Sequence, residues 1–378
     1  MAVQVQSRGD LDLDPRDVEL TLAPLERAFM LPPAAFADPA VLGWELEHLF
    51  GGWICLGHAS SVSEPGEYLM REIGGSSVFA MAAEDGTPRA FLNACRHRGA
   101  RLVEETEGRV RRRIRCPYHA WSYDLGGRVI AVPAFRGAAA LPDSGLVELP
   151  VAEWHGWVFA HALHQLGSPE VPDFEEYVGR LGRVLAPYRP ELLHAAARHT
   201  YEVTANWKVI AENYHECYHC PQIHPELCAV SPPTSGRNYN LPGAWVGGSL
   251  ELREGMATMS LDGRSGGRPI PGAPAGRVEF VHLMPNLLVS AHPDYVMTHR
   301  LVPLSPDRTW VECTWLMPDG VTDASYAVDF WDLTNRQDWA ACESVQRGTA
   351  NPHFTPGPLA PNEDALVRFT ELVQAAYV

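Results

Sequence analysis

The reading of the fold turns on Cys95-Arg96-His97, eighteen intervening residues, and then Cys116-Pro117-Tyr118-His119. One pair is spaced C-x-H and the other C-x-x-H, so the stretch offers two thiolates and two imidazoles. Two kinds of metal centre want that set. A [2Fe–2S] cluster can place both cysteines on one iron and both histidines on the other. A Cys2His2 zinc site uses the same donors, but it usually keeps its cysteines together and its histidines together. Here each pair is mixed, which favours the cluster over zinc. Imidazole is neutral where thiolate is anionic, so such a cluster is less negative and easier to reduce.

The chain has 378 residues, 46% of them hydrophobic. That length suits two domains, each with a sizeable core. The 32 glycines and 32 prolines favour strands and irregular loops over long bundles. A formal net charge of −16 lacks the basic footprint of a nucleic-acid binder. The one basic run, Arg109 to Arg115, holds five arginines in seven residues. It reads either as a solvated hairpin or as a docking patch for an acidic electron donor. Beyond Cys95 and Cys116, the other six of the eight cysteines show no disulfide framework. Met1 to Pro15 is polar and acidic, unlike a signal peptide. No apolar run approaches the ~18 residues of a membrane span. The expectation is a soluble, reduced, cytoplasmic protein with neither membrane nor nucleic acid as partner.

Three segments are expected: an N-terminal arm and helix over 1–45, a small β domain over 46–165, and a second domain over 166–378. Residues 1–20 read as a mobile arm. Asp38 is an N-cap candidate for a helix running to Phe50, with Pro39 at its first position. From Trp53 to Phe159, short strands alternate with turn signals, as at Trp121-Ser122-Tyr123-Asp124 before Gly126-Gly127. Residues 165–174 read as a linker. Helices are predicted over 175–185 and 206–220, a mobile Gly/Pro-rich loop over 263–276, and a long helix over 324–347. Strands are predicted at 199–204, 277–283, 286–291, 295–303 and 309–317.

The densest run of ligand-capable residues is Glu212-Asn213-Tyr214-His215-Glu216-Cys217-Tyr218-His219-Cys220-Pro221-Gln222-Ile223-His224-Pro225. His219 and His224 are candidate metal ligands. A spacing of five puts two side chains about 140° apart on an ideal helix, so a regular helix does not aim both at one ion. Pro221 permits the needed distortion. Glu216 shares a face with His219. A mononuclear non-haem iron wants two histidines and one carboxylate, with open positions left over. Spacing ranks Asp338 only slightly above Glu343 and Asp332 for the third ligand. Cys217 and Cys220 form a C-x-x-C, read as packing rather than as redox or zinc chemistry. His215 reads as a structural or pocket residue, Asn206 and Asn213 as supporting hydrogen-bond partners, and His292 and His299 as possible pocket lining.

Residues Arg98-Gly99-Ala100-Arg101-Leu102 and Ala120-Trp121-Ser122-Tyr123-Asp124 resemble the cluster loops of Rieske domains. Asn206-Trp207-Lys208-Val209, Glu212-Asn213, Glu216-Cys217-Tyr218-His219-Cys220-Pro221 and His224-Pro225 resemble the iron motif of Rieske non-haem iron oxygenases. Over roughly residues 40–375 the chain is similar to their catalytic α subunit. It looks closest to the branch of glycine betaine and stachydrine demethylases. The resemblance implies an α+β fold, with a small all-β Rieske [2Fe–2S] domain beside a helix-grip catalytic domain. It implies a cluster on Cys95, His97, Cys116 and His119, and a mononuclear Fe(II) on His219, His224 and Asp338. Glu216 then takes the place of a bridging carboxylate that reaches His119 of a neighbouring subunit in a head-to-tail homotrimer. An NAD(P)H-dependent flavin or ferredoxin reductase supplies electrons, and O2 is used to hydroxylate a C–H bond. On this branch the outcome is N-demethylation of a small quaternary ammonium substrate. Aromatic ring hydroxylation is the alternative within the class. An electron carrier or a zinc-stabilised non-oxygenase is the alternative outside it.

Overall fold

The computed structural model describes residues 19–73, 75–133, 145–162, 171–321 and 323–377. They divide into two compact units. The arm expected over 1–20 and the linker over 165–174 fall largely outside the described residues.

Residues 50–174 form one unit. Its strands are β1 (Trp53–His58), β2 (Glu67–Ile73), β3 (Ser76–Ala82), β4 (Pro88–Leu92), β5 (Glu107–Arg109), β6 (Ile114–Arg115), β7 (Ser122–Tyr123), β8 (Val129–Ala131), β9 (Glu148–Leu149), β10 (Val151–Trp154) and β11 (Trp157–His161). They build sheets of order β1-β11-β10, β5-β2-β3-β4-β9 and β6-β7-β8. The turn after β7 shows why its sequence reads as it does. Asp124 Oδ1 accepts the Arg128 N–H at 2.8 Å. Gly127 has φ +80°, and a Cβ there would stand 2.5 Å from the Phe91 ring. Both facts require glycine. Tyr68, Phe79, Phe91 and Tyr123 close the core around Cys95 and Cys116. The basic run is not a hairpin, because β5 and β6 belong to different sheets. Arg111, Arg112 and Arg113 lie exposed on the connection between them.

The other unit combines the described residues up to Leu49 with those from Glu175 onward. Helix α1 (Pro39–His48) opens on Asp38, whose carboxylate accepts the Ala40 N–H at 2.8 Å. Strands β12 (His194–Val203), β13 (Arg237–Asn238), β14 (Trp245–Glu251), β15 (Arg277–Leu283), β16 (Leu287–Ala291), β17 (Val296–Ser305) and β18 (Arg308–Met317) follow. They form one antiparallel sheet of order β12-β18-β17-β16-β15-β14-β13. The unit's other helices include α2 (Trp207–Tyr214), α3 (Cys220–Ile223), α4 (Pro225–Val230), α5 (Ser325–Thr349) and α6 (Asp364–Tyr377). Tyr295, Met297, Cys313 and Trp315 of the sheet share a buried cluster with Phe330, Trp331 and Cys342 of α5.

Three predicted features differ. The helix expected over 206–220 stops at Tyr214 and resumes as α3 at Cys220. The break has a local cause: the Glu216 carboxylate takes the backbone N–H groups of Tyr218 and His219, competing with the helical ladder. The helix over 175–185 is split at Gly179, which has φ +53° and packs where a Cβ would stand 2.2 Å from Pro242 O. The loop over 263–276 is tied down. Ser265 Oγ donates to Asp294 at 2.5 Å, and the buried Ile270 donates its N–H to Pro293 O at 2.8 Å.

Two polar clamps hold the start of α2. Asn206 donates its N–H to Gln346 Oε1 at 2.9 Å, and both side-chain amides donate to Phe36 O at 3.2 Å. Lys208 is the only lysine in the chain and is fully buried. It donates to Glu45 Oε1 at 2.6 Å, while Trp207 Nε1 donates to Glu45 Oε2 at 2.8 Å. Breaking a buried pair on one side leaves an uncompensated charge. Glu45→Ala is therefore expected to lower stability by about 3–5 kcal/mol. The double change Glu45→Leu with Lys208→Met should recover most of that loss in urea unfolding.

Candidate metal centres and substrate cavity

The two cysteine–histidine loops are built alike. Cys95 donates its N–H to Ala100 O, and Gly99 returns an N–H to Cys95 O. Cys116 donates to Trp121 O, and Ala120 returns an N–H to Cys116 O. In both loops the fourth residue after the cysteine is left-handed, Gly99 at φ 72° and Ala120 at φ 60°. An alanine accepts that conformation at a cost of about 1–2 kcal/mol, so the loop geometry is specified by its surroundings. Cys95 and Cys116 are buried, while His97 and His119 are exposed with ring centroids 4.7 Å apart. His97 stacks on Trp121 at 5.0 Å. Tyr123 OH accepts the Arg96 N–H at 3.0 Å and lies 3.2 Å from Cys95 Sγ, where it can donate to a thiolate. Burial first, and the Cys95 contact second, push the Tyr123 hydroxyl pKa up, so it stays a donor. Buried thiolates with exposed imidazoles suit a [2Fe–2S] cluster that exchanges electrons through its histidine side.

The second centre draws on two distant segments. His219 and His224 flank α3, and Asp338 lies on α5. Donor atoms of these three residues lie within 4.8 Å of one another. His224 Nε2 is 2.8 Å and His219 Nε2 3.5 Å from Asp338 Oδ1. The opposite ring nitrogens are held from behind. Glu216 Oε1 bonds His219 Nδ1, and Gln337 Oε1 bonds His224 Nδ1 at 2.7 Å. Gln337 is itself oriented by Glu226 at 3.3 Å. These partners orient the rings, with each Nδ1 bonded outward and both Nε2 atoms turned to one point, where a bound metal would take their lone pairs. Two imidazoles and a carboxylate converging this way fit a ferrous ion with open positions. Burial lowers the His219 pKa, but hydrogen bonds to Asp338 and Glu216 override it and raise it to about 9. Burial raises Asp338, and its bonds to the two histidines bring it below the usual carboxylate range.

The other carboxylates considered for this role are engaged elsewhere. Glu343 accepts the Thr204 N–H at 3.1 Å, and Asp332 accepts Tyr201 OH at 2.5 Å and pairs with Arg336. Cys217 and Cys220 form a disulfide, so their contribution is a covalent tie around His219 rather than packing alone. Gln337 carried no signal in the sequence, since an amide next to Asp338 becomes informative only once α5 faces α3.

A cavity of about 600 Å³ opens onto the triad. Tyr214, Phe280, Trp331 and Trp339 supply aromatic wall, and His215 and His299 also line it. Burial holds the pKa of both histidines below the ordinary value, so both are neutral. His292 stacks on Tyr295 at 4.0 Å and does not line the cavity.

Comparison with known proteins agrees with this architecture. Residues 52–149 match the Rieske [2Fe-2S] domain, and residues 190–377 match the ring hydroxylating alpha subunit (catalytic domain). The chain is 30% identical over 370 residues to the glycine betaine monooxygenase oxygenase subunit of Chromohalobacter salexigens, covering 87% of this chain and 81% of that protein. It is 34% identical over 205 residues to the carnitine monooxygenase oxygenase subunit of Escherichia coli, covering 53% of each. The fold superposes on the quaternary ammonium Rieske monooxygenase CntA in complex with L-carnitine with a TM-score of 0.81 at 22% identity, covering 97% of this chain and 100% of that one. For naphthalene 1,2-dioxygenase from Rhodococcus the TM-score is 0.77 at 21% identity, covering 96% and 97%. The chain belongs to the Rieske non-haem iron oxygenases, as a catalytic α subunit. It is an oxidoreductase whose cofactors are a Rieske [2Fe–2S] cluster and a mononuclear non-haem iron. Among the described residues, no helix is long and apolar enough to cross a membrane.

Two outcomes test the second centre. Asp338→Ala should keep the cluster's visible spectrum while iron falls from about three to about two per chain. Gln337→Ala should weaken the mononuclear iron by about 10–100-fold. Separately, the His219 pKa, raised to about 9, keeps it protonated near neutral pH in the metal-free site, and a metal must displace that proton. Calorimetry in buffers of different ionisation enthalpy should find about one proton released per iron at pH 7. Apparent affinity should rise with pH until about 9.

Proposed function

We propose that this chain is the terminal oxygenase of a three-part electron chain and removes an N-methyl group from a small quaternary ammonium compound. The observation that carries the reading is the aromatic cavity opening onto His219, His224 and Asp338. Tyr214, Phe280, Trp331 and Trp339 give the wall an aromatic character that suits a cation with no N–H to donate. The relatives named for glycine betaine and carnitine support the same substrate class.

In this reading Cys95, His97, Cys116 and His119 hold the cluster, and His219, His224 and Asp338 hold the mononuclear iron. When bound, the cluster supplies single electrons and the mononuclear iron supplies O2 activation. The chain's residues do the rest. The aromatic wall orients one methyl group toward the triad and excludes water from it. Glu216 holds the His219 Nδ1 proton and relays toward His119 of a neighbouring subunit in a head-to-tail homotrimer. Arg111, Arg112, Arg113 and Arg115, all exposed, face an acidic NAD(P)H-driven reductase in the cytoplasm. With O2, two electrons and two protons, hydroxylation of the methyl group gives an N-hydroxymethyl cation and water. Loss of its hydroxyl proton with C–N cleavage yields formaldehyde and the demethylated amine.

The test is oxygen uptake and formaldehyde release with a reductase and a panel of betaines, carnitine, choline and simple aromatics. Formaldehyde from the amines supports the reading, and hydroxylated aromatics without formaldehyde would replace it. Glu216→Gln is expected to retain both metals while single-turnover electron transfer slows. Unchanged kinetics would remove Glu216 from the relay.

A further inference from the structure

The bond between Cys217 and Cys220 encloses a metal ligand, since only Tyr218 and His219 lie between its two cysteines. Both cysteines line the cavity, as His219, His224 and Asp338 do. Glu216 already holds this turn through the Tyr218 and His219 N–H groups and through His219 Nδ1, so the disulfide is a second tie. It also has a chemical consequence for the metal. Cys220 Sγ lies 3.8 Å from His219 Nε2, the nitrogen turned to the triad's centre. Imidazole nitrogens stand about 2.0–2.1 Å and thiolates about 2.3 Å from zinc. Two such ligands 3.8 Å apart subtend about 120° at one ion, an angle that four- and five-coordinate sites accommodate. Cys220 Sγ is therefore at ligand separation from His219 Nε2. Bonded to Cys217 it is no ligand, because the thiolate is the form that binds metals.

Opening the bond changes the donor set. Cys217 is half-buried and Cys220 buried, so an incoming thiolate meets the Cys217 sulfur and Cys220 leaves as the thiolate. The second thiol of a dithiol reductant then frees Cys217. The reductant ends as a cyclic disulfide, and two electrons and two protons pass to the cysteine pair. Two imidazoles and a carboxylate leave a ferrous ion open positions, whereas a thiolate is a soft ligand that suits zinc and fills one of them.

We infer that Cys217 and Cys220 form a redox switch on the metal centre. With the bond closed, the triad takes ferrous iron and keeps open positions. With the bond opened by a dithiol, Cys220 joins His219 on the ion and turns the preference toward zinc. The inference goes beyond the demethylation reading and does not depend on the substrate.

The experiment uses the full chain with its mononuclear metal removed by a chelator. Under nitrogen it is loaded with zinc, or with equal ferrous iron and zinc. Protein as oxidised in air is compared with protein treated with a small dithiol that is removed before metal is added. Thiol counting in denaturant should show a gain of two per chain on treatment, one for each member of the pair. X-ray absorption at the zinc edge should show one sulfur neighbour at about 2.3 Å in the treated protein only. The zinc-to-iron ratio, with the cluster's iron subtracted, should rise by about 10–100-fold, the range over which a ligand's surroundings move metal affinity. Cys217→Ser, which leaves Cys220 free, should show the sulfur neighbour without treatment, and Cys220→Ser should show it in neither state. The cluster's visible spectrum reports whether each variant is folded, and the two wild-type states decide alone if a variant is not. No gain of thiols, no sulfur neighbour after treatment, or an unchanged metal ratio overturns the inference while leaving the triad as the iron centre. Failure to bind metal in either state removes both.

Discussion

A half-buried carboxylate held against two imidazoles is the constraint on which the catalytic unit depends. Asp338 cannot be left alone in a low-dielectric site, because desolvating an unpaired charge costs several kcal/mol. It needs a proton on a neighbour or a metal ion between them. The raised pKa of His219 and the lowered pKa of Asp338 are two sides of that need. The surrounding fold keeps the three groups facing one another. Helix α5 lies against α2 through the Gln346–Asn206–Phe36 clamp, and α2 is anchored through Lys208 to Glu45. The chain then leaves α2 at Tyr214 because Glu216 takes the next amides, and that break turns His219 toward α5.

Burial is used in opposite senses at the two centres. In the Rieske unit the cysteines are buried and the histidines exposed, an arrangement that would shield the sulfurs of a bound cluster and leave its imidazole side open to electron transfer. At the second centre His224 is buried and opens onto an aromatic cavity, which suits chemistry that must exclude water. Each site also carries groups that fix its ligands. Tyr123 and the paired loop hydrogen bonds serve the cysteines, and Glu216 and Gln337 serve the histidines.

Away from the triad, the histidines behind and within the cavity wall are neutral near neutral pH. His215 and His282 stack and share a hydrogen bond of 3.2 Å, and burial holds His282 near a pKa of about 4. His292 and His299 are likewise held neutral by burial. The cavity's charge is therefore set by its carboxylates, by His219 and by whatever metal it holds.

Local features were legible in the sequence. The mixed Cys–His pairs, the Asp38 cap, the Gly126-Gly127 turn and the late strands each depend on residues close together in the chain. Their physics is that of caps, turns and alternating burial. The two-histidine run was legible for the same reason. The third carboxylate was not, because Asp332, Asp338 and Glu343 share one helix and differ only in the direction each faces. Only the packing of α5 on α3 sends Asp338 toward the histidines, Glu343 to the Thr204 amide and Asp332 to Tyr201. The break after Tyr214, the Cys217–Cys220 bond and Gln337 behind His224 were likewise decided in three dimensions. Each arises from partners brought together by the sheet and the long helix, some of them over a hundred positions apart.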